Sequence, residues 1–435
     1  MTPTRPAPRR LATPIRVALL VGGLATCALA PRALAEAAGA ATNATPPAVT
    51  TPANVAWAAF LARLEETGRA ILREDLPGSP LDRAEAQRYL LQRLAATIDA
   101  ALDAESGPPV VSLYSHKLRK YGMDSADAKY MTVRVSGDGT YRLYGVLGTA
   151  HHIAFQLTSS RDGYRAFDSI EREGLDADAS GEFELLVSAT KPAGWTKPWL
   201  RLDPEATELL LREYFYDWAK ERPSTFRVER LDRPGEAVPT EPAATRALFD
   251  AIADQFAATV PKWFAPALDD RLHRRNQLRP PARSASEGLR ENAYGSGWFA
   301  LADDEALLIE LDEPEAHLWS FELGSAWWQS LDYVDHSSSL NGFQAVKSSD
   351  GRYRLVIALE DPAVPNWLDP VGHHEGVIIY RYQHAEPGAV PPTARVVPLK
   401  TLRDHLPADT PTVSAEARAA EIRMRRRHAA TRWAP

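Results

Sequence analysis

The chain has 435 residues, 45% hydrophobic and 25% charged, an ordinary globular composition with enough material for two packed cores. Its formal charge of -7 argues against nonspecific binding to nucleic acid or to an anionic membrane surface. Thirty-four prolines and eleven tryptophans favour turns and strand ends over long helical bundles.

The N-terminus has the order of an export signal. Arg5, Arg9, Arg10 and Arg16 precede an apolar run from Val17 to Ala30, and no acid occurs before Glu36. The run is too short for a membrane span of about 20 residues. Ala33-Leu34-Ala35 fits small-x-small cleavage, so residues 1–35 read as a signal peptide. Cleavage there removes five arginines and no acid, taking the charge from -7 to -12. Cys27 is the only cysteine. It sits in Leu24-Ala25-Thr26-Cys27, close to a lipobox, but Thr26 fits poorly, so soluble export to the periplasm or beyond is preferred to lipidation. The mature chain then has no thiol. Residues 36–53 are small and polar, a flexible tether.

Helical spacing of Trp57, Phe60, Leu61, Leu64, Ile71 and Leu72 predicts a first helix. Ser79-Pro80 is an N-cap and first-turn pair for a second, which buries Leu90, Leu91, Leu94 and Ile98 and stops at Gly107-Pro108-Pro109. Strand alternation follows around Met131–Val135, Tyr141–Val146 and Ile153–Leu157. Phe183–Val187, Glu208–Tyr214 and Phe226–Arg230 complete a first β-rich domain over 54–240. A helical insert, Ala243–Leu268, is expected to break at Pro261 and Pro266. Arg271–Arg283 reads as an exposed connection closing this 241–294 segment. Trp298–Leu301, Leu307–Leu311, Leu318–Leu323, Tyr353–Leu359 and Val377–Tyr382 predict a second domain over 295–400. Within it Trp319, Phe321 and Leu323 face one way and Ser320 and Glu322 the other. Ser414–Trp433, in the last segment 401–435, predicts a helix packed by Ala419, Ile422, Ala429 and Trp433, with its arginines in water. The expected fold is mainly β with flanking helices: two β-rich domains, the second a jelly-roll-like antiparallel sandwich.

Arg88–Arg93, Gly139–Gly145, Leu211–Trp218, Val228–Leu231, Trp319–Leu323, Trp327-Trp328, Ser339–Asn341, Gln344 and the turn Pro365–Pro370 follow one another in a distinctive order. In these residues the chain resembles the family catalogued as domain of unknown function 1214, from about Gln87 to Tyr382. It departs at Gly122–Asp127. The resemblance implies a β-rich protein with a jelly-roll-like C-terminal part, and carries no accepted reaction and no catalytic residues.

Polar and aromatic residues gather on turns between the later strands. Trp327, Trp328, Tyr333, His336, Asn341, Gln344, Asn366, Trp367, Asp369 and His373 are the candidates for a cleft that binds a small organic or saccharide ligand. The competing reading makes the indoles core and lets Asn366 and Asp369 satisfy backbone groups of a proline turn. A hydrolase would draw Ser337–Ser339, His336 or His373 and Asp332 or Asp369 from the same loops, or pair Asp332 with Asp369 or Glu375 as glycosidase acids. A structural role in the cell envelope is the third possibility. No metal and no cofactor is expected: His373-His374-Glu375 and His151-His152 are adjacent pairs that a strand would split. No nucleic acid partner is expected, nor a membrane span once the signal is removed. Arg381, in the apolar strand after the turn, should be paired if buried, and Asp369 is its expected partner.

Overall fold

The computed structural model describes residues 52–433 apart from 72, 74, 106, 161–163, 234–241, 284–287, 290 and 386–388. The expected signal peptide, Cys27 and nearly all of the tether lie outside the described residues. Among the described residues no helix is long and apolar enough to cross a membrane.

Two helices come first, α1 (Pro52–Gly68) and α2 (Pro80–Glu105). Ser79 caps α2: its Oγ accepts from the Asp82 amide at 3.1 Å, and the Asp82 carboxylate accepts from the Ser79 amide at 3.1 Å. This reciprocal arrangement satisfies two donors that the first turn would otherwise leave open.

The next strands are β1 (Ser112–Ser115), β2 (Ala128–Arg134), β3 (Thr140–Val146), β4 (His152–Ser159) and β5 (Arg165–Glu171). After them come β6 (Glu182–Ser188), β7 (Trp199–Arg201), β8 (Glu208–Tyr214) and β9 (Thr225–Arg230). They form two sheets, ordered β1-β2-β8-β4-β5 and β7-β6-β3-β9. Met131, Val133, Phe155, Leu209 and Leu211 of one sheet meet Leu143, Leu185 and Val187 of the other in a single core.

Helices α3 (Pro242–Thr259) and α4 (Phe264–His273) follow. Ile252 and Ala253 of α3 pack on Phe60 of α1 and Ala101 of α2. The break falls at Pro261 as expected, but Pro266 does not interrupt. It is the third residue of α4, inside the first turn, where a missing N–H removes no helical bond. The segment Arg271–Arg283 is also not a free connection. Arg271 lies in α4 and holds Glu375 at 3.0 Å.

The second set of strands is β10 (Ala282–Arg283), β11 (Ala293–Ala300), β12 (Glu305–Leu311), β13 (Leu318–Gly324) and β14 (Ser339–Asn341). It continues with β15 (Tyr353–Ala358), β16 (Trp367–Leu368), β17 (Glu375–Gln383) and β18 (Thr393–Pro398). These also make two sheets, β10-β11-β17-β13-β14 and β16-β15-β12-β18, around a core of Leu307, Ile309, Phe321, Leu355, Ile357, Ile378 and Tyr380. The fold is therefore mainly β, with helices at its flanks.

The five-stranded sheets of the two sandwiches face each other. Ala128, Ala154 and Tyr214 of the first touch Leu318 of the second. Trp319, Phe321 and Leu323 point into the second core as alternation predicts, yet Ser320 and Glu322 do not reach water, and all seven residues of β13 are buried. The opposite face of the strand is a second buried interface.

The last helix, α5 (Ala415–Arg432), begins at Ser414, whose Oγ accepts from the Ala417 amide at 3.2 Å. Its packing corrects the expectation. Ala419 is exposed, whereas Arg425, His428 and Arg432 are buried. Arg425 donates to the Ser339 and Tyr333 carbonyls at 2.6 and 3.3 Å, and Arg432 to those of Ala126 and Ala128. The helix turns its guanidinium groups inward because carbonyl oxygens at the ends of β2 and β14 need donors there.

Candidate functional site

A cavity of about 390 Å³ lies between the two facing sheets, within the usual range for small-molecule sites. Its walls come from mid-strand residues on the faces turned away from the two cores. Tyr130 is contributed by β2, and Leu210, Arg212 and Tyr214 by β8. From the other sheet come Tyr294 and Ser296 of β11 and Ile379 and Arg381 of β17. Period-two alternation explains the set: Leu209 and Leu211 fill the first core, so Leu210 and Arg212 must face the other sandwich.

One end is closed by Trp263 and Trp328, stacked at 5.8 Å with 10° between their planes. Trp328 has φ 55 and Gly122, beside it, φ 67. A Cβ on Gly122 would lie 3.3 Å from the Trp263 indole nitrogen, so a side chain there would press on the aromatic wall. Tyr114, Tyr121, Tyr130, Tyr164, Tyr214 and Tyr294 all line the space, giving it flat apolar surfaces edged with hydroxyls. Burial pushes the Tyr130 phenol up to about 12, so it stays a neutral donor.

The charged groups of the wall are unequally matched. Arg381 donates to Glu322 at 2.8 Å and to the Met123 carbonyl, and Glu322 also accepts from the Ala126 amide at 3.0 Å. Burial raises the Glu322 carboxyl, and Arg381 opposes the rise. Arg279 is held by Asp269 and Asp270. Asp124 accepts from Ser330 Oγ at 3.1 Å, and its burial raises its pKa while Lys120 opposes the rise. Arg212 is different. It is 4% exposed, and it donates to Gln156 Oε1 at 2.9 Å and reaches Tyr164 Oη at 3.4 Å. Among the described residues no carboxylate forms an ion pair with it.

Of the ten residues proposed from sequence, only Trp328 lines this cavity. Trp327 packs on Tyr89 and donates from Nε1 to the Asp82 carbonyl at 3.1 Å. Tyr333 is buried with the first core. Asn341 donates to Asp127 at 2.6 Å, and Gln344 accepts from the Asn341 amide at 3.2 Å. Asn366, at φ 58, accepts from the Val346 amide at 2.8 Å and donates to the Val346 and Arg354 carbonyls. Trp367 donates to the Ala358 carbonyl. His373 lies between the Pro370 carbonyl and Glu85. These side chains hold turns and join elements, and they converge on no common space.

The expected Asp369–Arg381 pair is not formed. Asp369 contacts His336 Nδ1 at 2.7 Å and accepts from the Val371 amide at 2.7 Å, while Arg381 points into the seam toward Glu322. The two share a stretch of sequence, but the turn and the strand present them to different neighbours. Nor does Ser337 serve a His336–Asp369 dyad, because its Oγ donates to Glu421 at 2.8 Å. Asp369→Asn is therefore expected to cost only about 0.5–1.5 kcal/mol, the worth of an ordinary hydrogen bond. Urea unfolding checks it, and a loss above about 3 kcal/mol would mean that Asp369 carries more than its turn.

Sequence reasoning missed Tyr130, Arg212, Tyr214, Tyr294 and Ser296. Their signal was present in one form: Arg212 and Arg381 are cations within apolar strands.

A crystal structure of an uncharacterised protein from Burkholderia cenocepacia is 32% identical, covers 80% of this chain and 97% of its own, and superposes with a TM-score of 0.74. A Vibrio parahaemolyticus protein is 11% identical over 72% of this chain and 98% of its own, with a TM-score of 0.44. No family model matches the chain, and no curated protein matches it closely enough to be counted a relative.

Proposed function

Since the chain belongs to the same family as the Burkholderia cenocepacia protein, which it covers almost end to end, we propose for it a role that needs little beyond the shared body of the fold: binding a small organic anion in the cavity between the sandwiches. The observation that carries this is Arg212. A guanidinium cannot shed its proton, and a buried cation without a counter-charge is costly. A ligand carboxylate beside Nη1 and Nη2 would supply that charge, bidentately if it lies flat against the fork. The tyrosines and Trp328 offer the apolar body of such a ligand ring faces to lie against. A neutral sugar would leave Arg212 without a counter-charge among the described residues, so the organic acid is preferred to the saccharide.

Thermal shifts with benzoate and phenylacetate, set against benzamide and glucose, test the reading. The acids are expected to raise the melting temperature and the neutral compounds to leave it unchanged. The response should vanish in Arg212→Met, and also in Ile379→Phe, which fills the cavity while keeping the arginine. Equal shifts with benzamide, or an undiminished acid response in both variants, would overturn it.

We also propose that the family is that of domain of unknown function 1214. Motif residues Arg212, Tyr214, Phe321 and Asn341 line the cavity, fill a core or join the sandwiches here, as parts of a shared framework should. An alignment of that family with an aliphatic residue at the Arg212 position would count against both proposals.

A further inference from the structure

A second site is suggested at one end of the seam, where the two sandwiches meet through histidines. His152 is the first residue of β4, Glu171 is the last of β5, and Ala154 and Glu171 are paired across the ladder. His384 follows β17 from the other sandwich, at φ 49. A residue with a side chain seldom adopts that conformation, and here it accompanies a ring set 5.1 Å from that of His152.

One ligand atom from each of the three side chains lies within 4.8 Å of the other two. His384 Nε2 is 3.3 Å from Glu171 Oε2, and His152 Nε2 is 3.9 Å from Glu171 Oε1. Zinc bonds of about 2.0–2.2 Å at tetrahedral angles set ligand atoms about 3.3–3.5 Å apart. The first spacing already meets that figure, the second is to the other carboxylate oxygen, and with one ligand atom from each residue the three lie within 4.8 Å, so the site tightens as an ion enters. His152 is 2% exposed. Both Nε2 atoms are buried and have no hydrogen-bond partner among the described residues. Other buried polar atoms of the seam also lack partners, among them Gln383 Nε2 and Oε1 and Ser320 Oγ, but only these two imidazole nitrogens face one carboxylate.

We propose that His152, Glu171 and His384 bind a divalent first-row transition ion, with zinc as the working case, and that the ion ties the first sandwich to the second. Imidazole and carboxylate are suitable donors for that class. Three protein ligands leave a fourth position of the tetrahedron for water or a small ligand. Glu173 and Glu291 add negative charge around Glu171. The Arg172 guanidinium is turned away to the Ala150 and Gly148 carbonyls. His317 borders the site with its ring 5.9 Å from that of His152. His151 lies just before β4, with its ring 4.4 Å from that of His317, and the partners for His152 arrive from residues 171 and 384.

The test uses untagged protein stripped with chelator and titrated with zinc and with cobalt. One equivalent of zinc is expected to bind by calorimetry and to raise the melting temperature. Cobalt is expected to give the intense visible bands of a four-coordinate site. Glu171→Gln and His384→Ala should each weaken zinc at least about a hundredfold, while His317→Ala should weaken it far less. Glu171 and His384 are both only partly buried, so both variants are expected to fold. Absence of stoichiometric binding at micromolar zinc, or undiminished binding in both ligand variants, would overturn the proposal.

Discussion

Replacing Glu322 by leucine is expected to lower the free energy of unfolding by about 3–5 kcal/mol. The reason is the residue left behind. Arg381 is 4% exposed and keeps its charge, and without Glu322 its remaining hydrogen bond among the described residues is to the Met123 carbonyl. A buried cation stripped of its partner costs far more than the pair contributes over a hydrophobic substitute. Asp124, which shares the cavity wall and feels Arg381, takes up part of the pairing and places the loss toward the lower end. The double variant Glu322→Leu/Arg381→Met should be more stable than Glu322→Leu alone, because no charge is then stranded, though the Ala126 amide and the Met123 carbonyl lose these partners. Urea unfolding of the four proteins in the cycle decides it. A double variant as unstable as the sum of the singles would mean that the two side chains act independently.

The largest pH effect is expected from His428. Its ring is stacked on Trp218 at 5.2 Å, and its Nε2 accepts from Arg432 Nε at 3.0 Å. Burial, then the Arg432 charge, lowers its pKa to about 2. In the unfolded chain it titrates near 6.5. Between these values unfolding takes up one proton, so this contribution to stability is intact above about pH 6.5 and shrinks as pH falls. The slope approaches about 1.4 kcal/mol per pH unit once the pH is well below 6.5. His428→Gln keeps an acceptor for Arg432 and cannot be protonated. The difference in unfolding free energy between parent and variant should therefore change by about 1.2 kcal/mol between pH 6 and 5. A difference that stays constant would show that His428 protonates while folded.

Much of the fold was legible in sequence because its cores obey simple periods. Leu318–Leu323 and Tyr353–Leu359 alternate, and each contributes one face to the second core. Strands without an apolar face escaped notice. In β5, Arg165–Glu171, no residue is buried, and β1 and β7 are short strands at sheet edges. The cavity was not legible, for a physical reason. Alternation tells which residues leave a core, and for Tyr130, Arg212 and Tyr294 it suggests water. That a second sandwich covers the same face depends on packing between residues more than a hundred positions apart. Arg381 was correctly singled out as a cation that burial would force into a pair. Its partner Glu322 lies 59 residues away on the neighbouring strand, and nothing local points to it. The proposed metal site would repeat the lesson: reasoning from neighbours passed over His152, whose companions there are 19 and 232 positions further along.

The position of Arg432 bears on the order in which the molecule can be completed during synthesis. Its guanidinium donates to the Ala126 carbonyl, 306 residues earlier in the chain. At about 5–20 residues per second, β2 leaves the ribosome roughly 15–60 s before its last hydrogen-bond partner exists. Through that interval the Ala126 and Ala128 carbonyls have only water or a wrong partner to turn to. A message broken after the codon for Arg427 would encode every strand described above and still leave that joint open. Loss of a few terminal codons should therefore be felt at the first sandwich, far from the lesion in sequence.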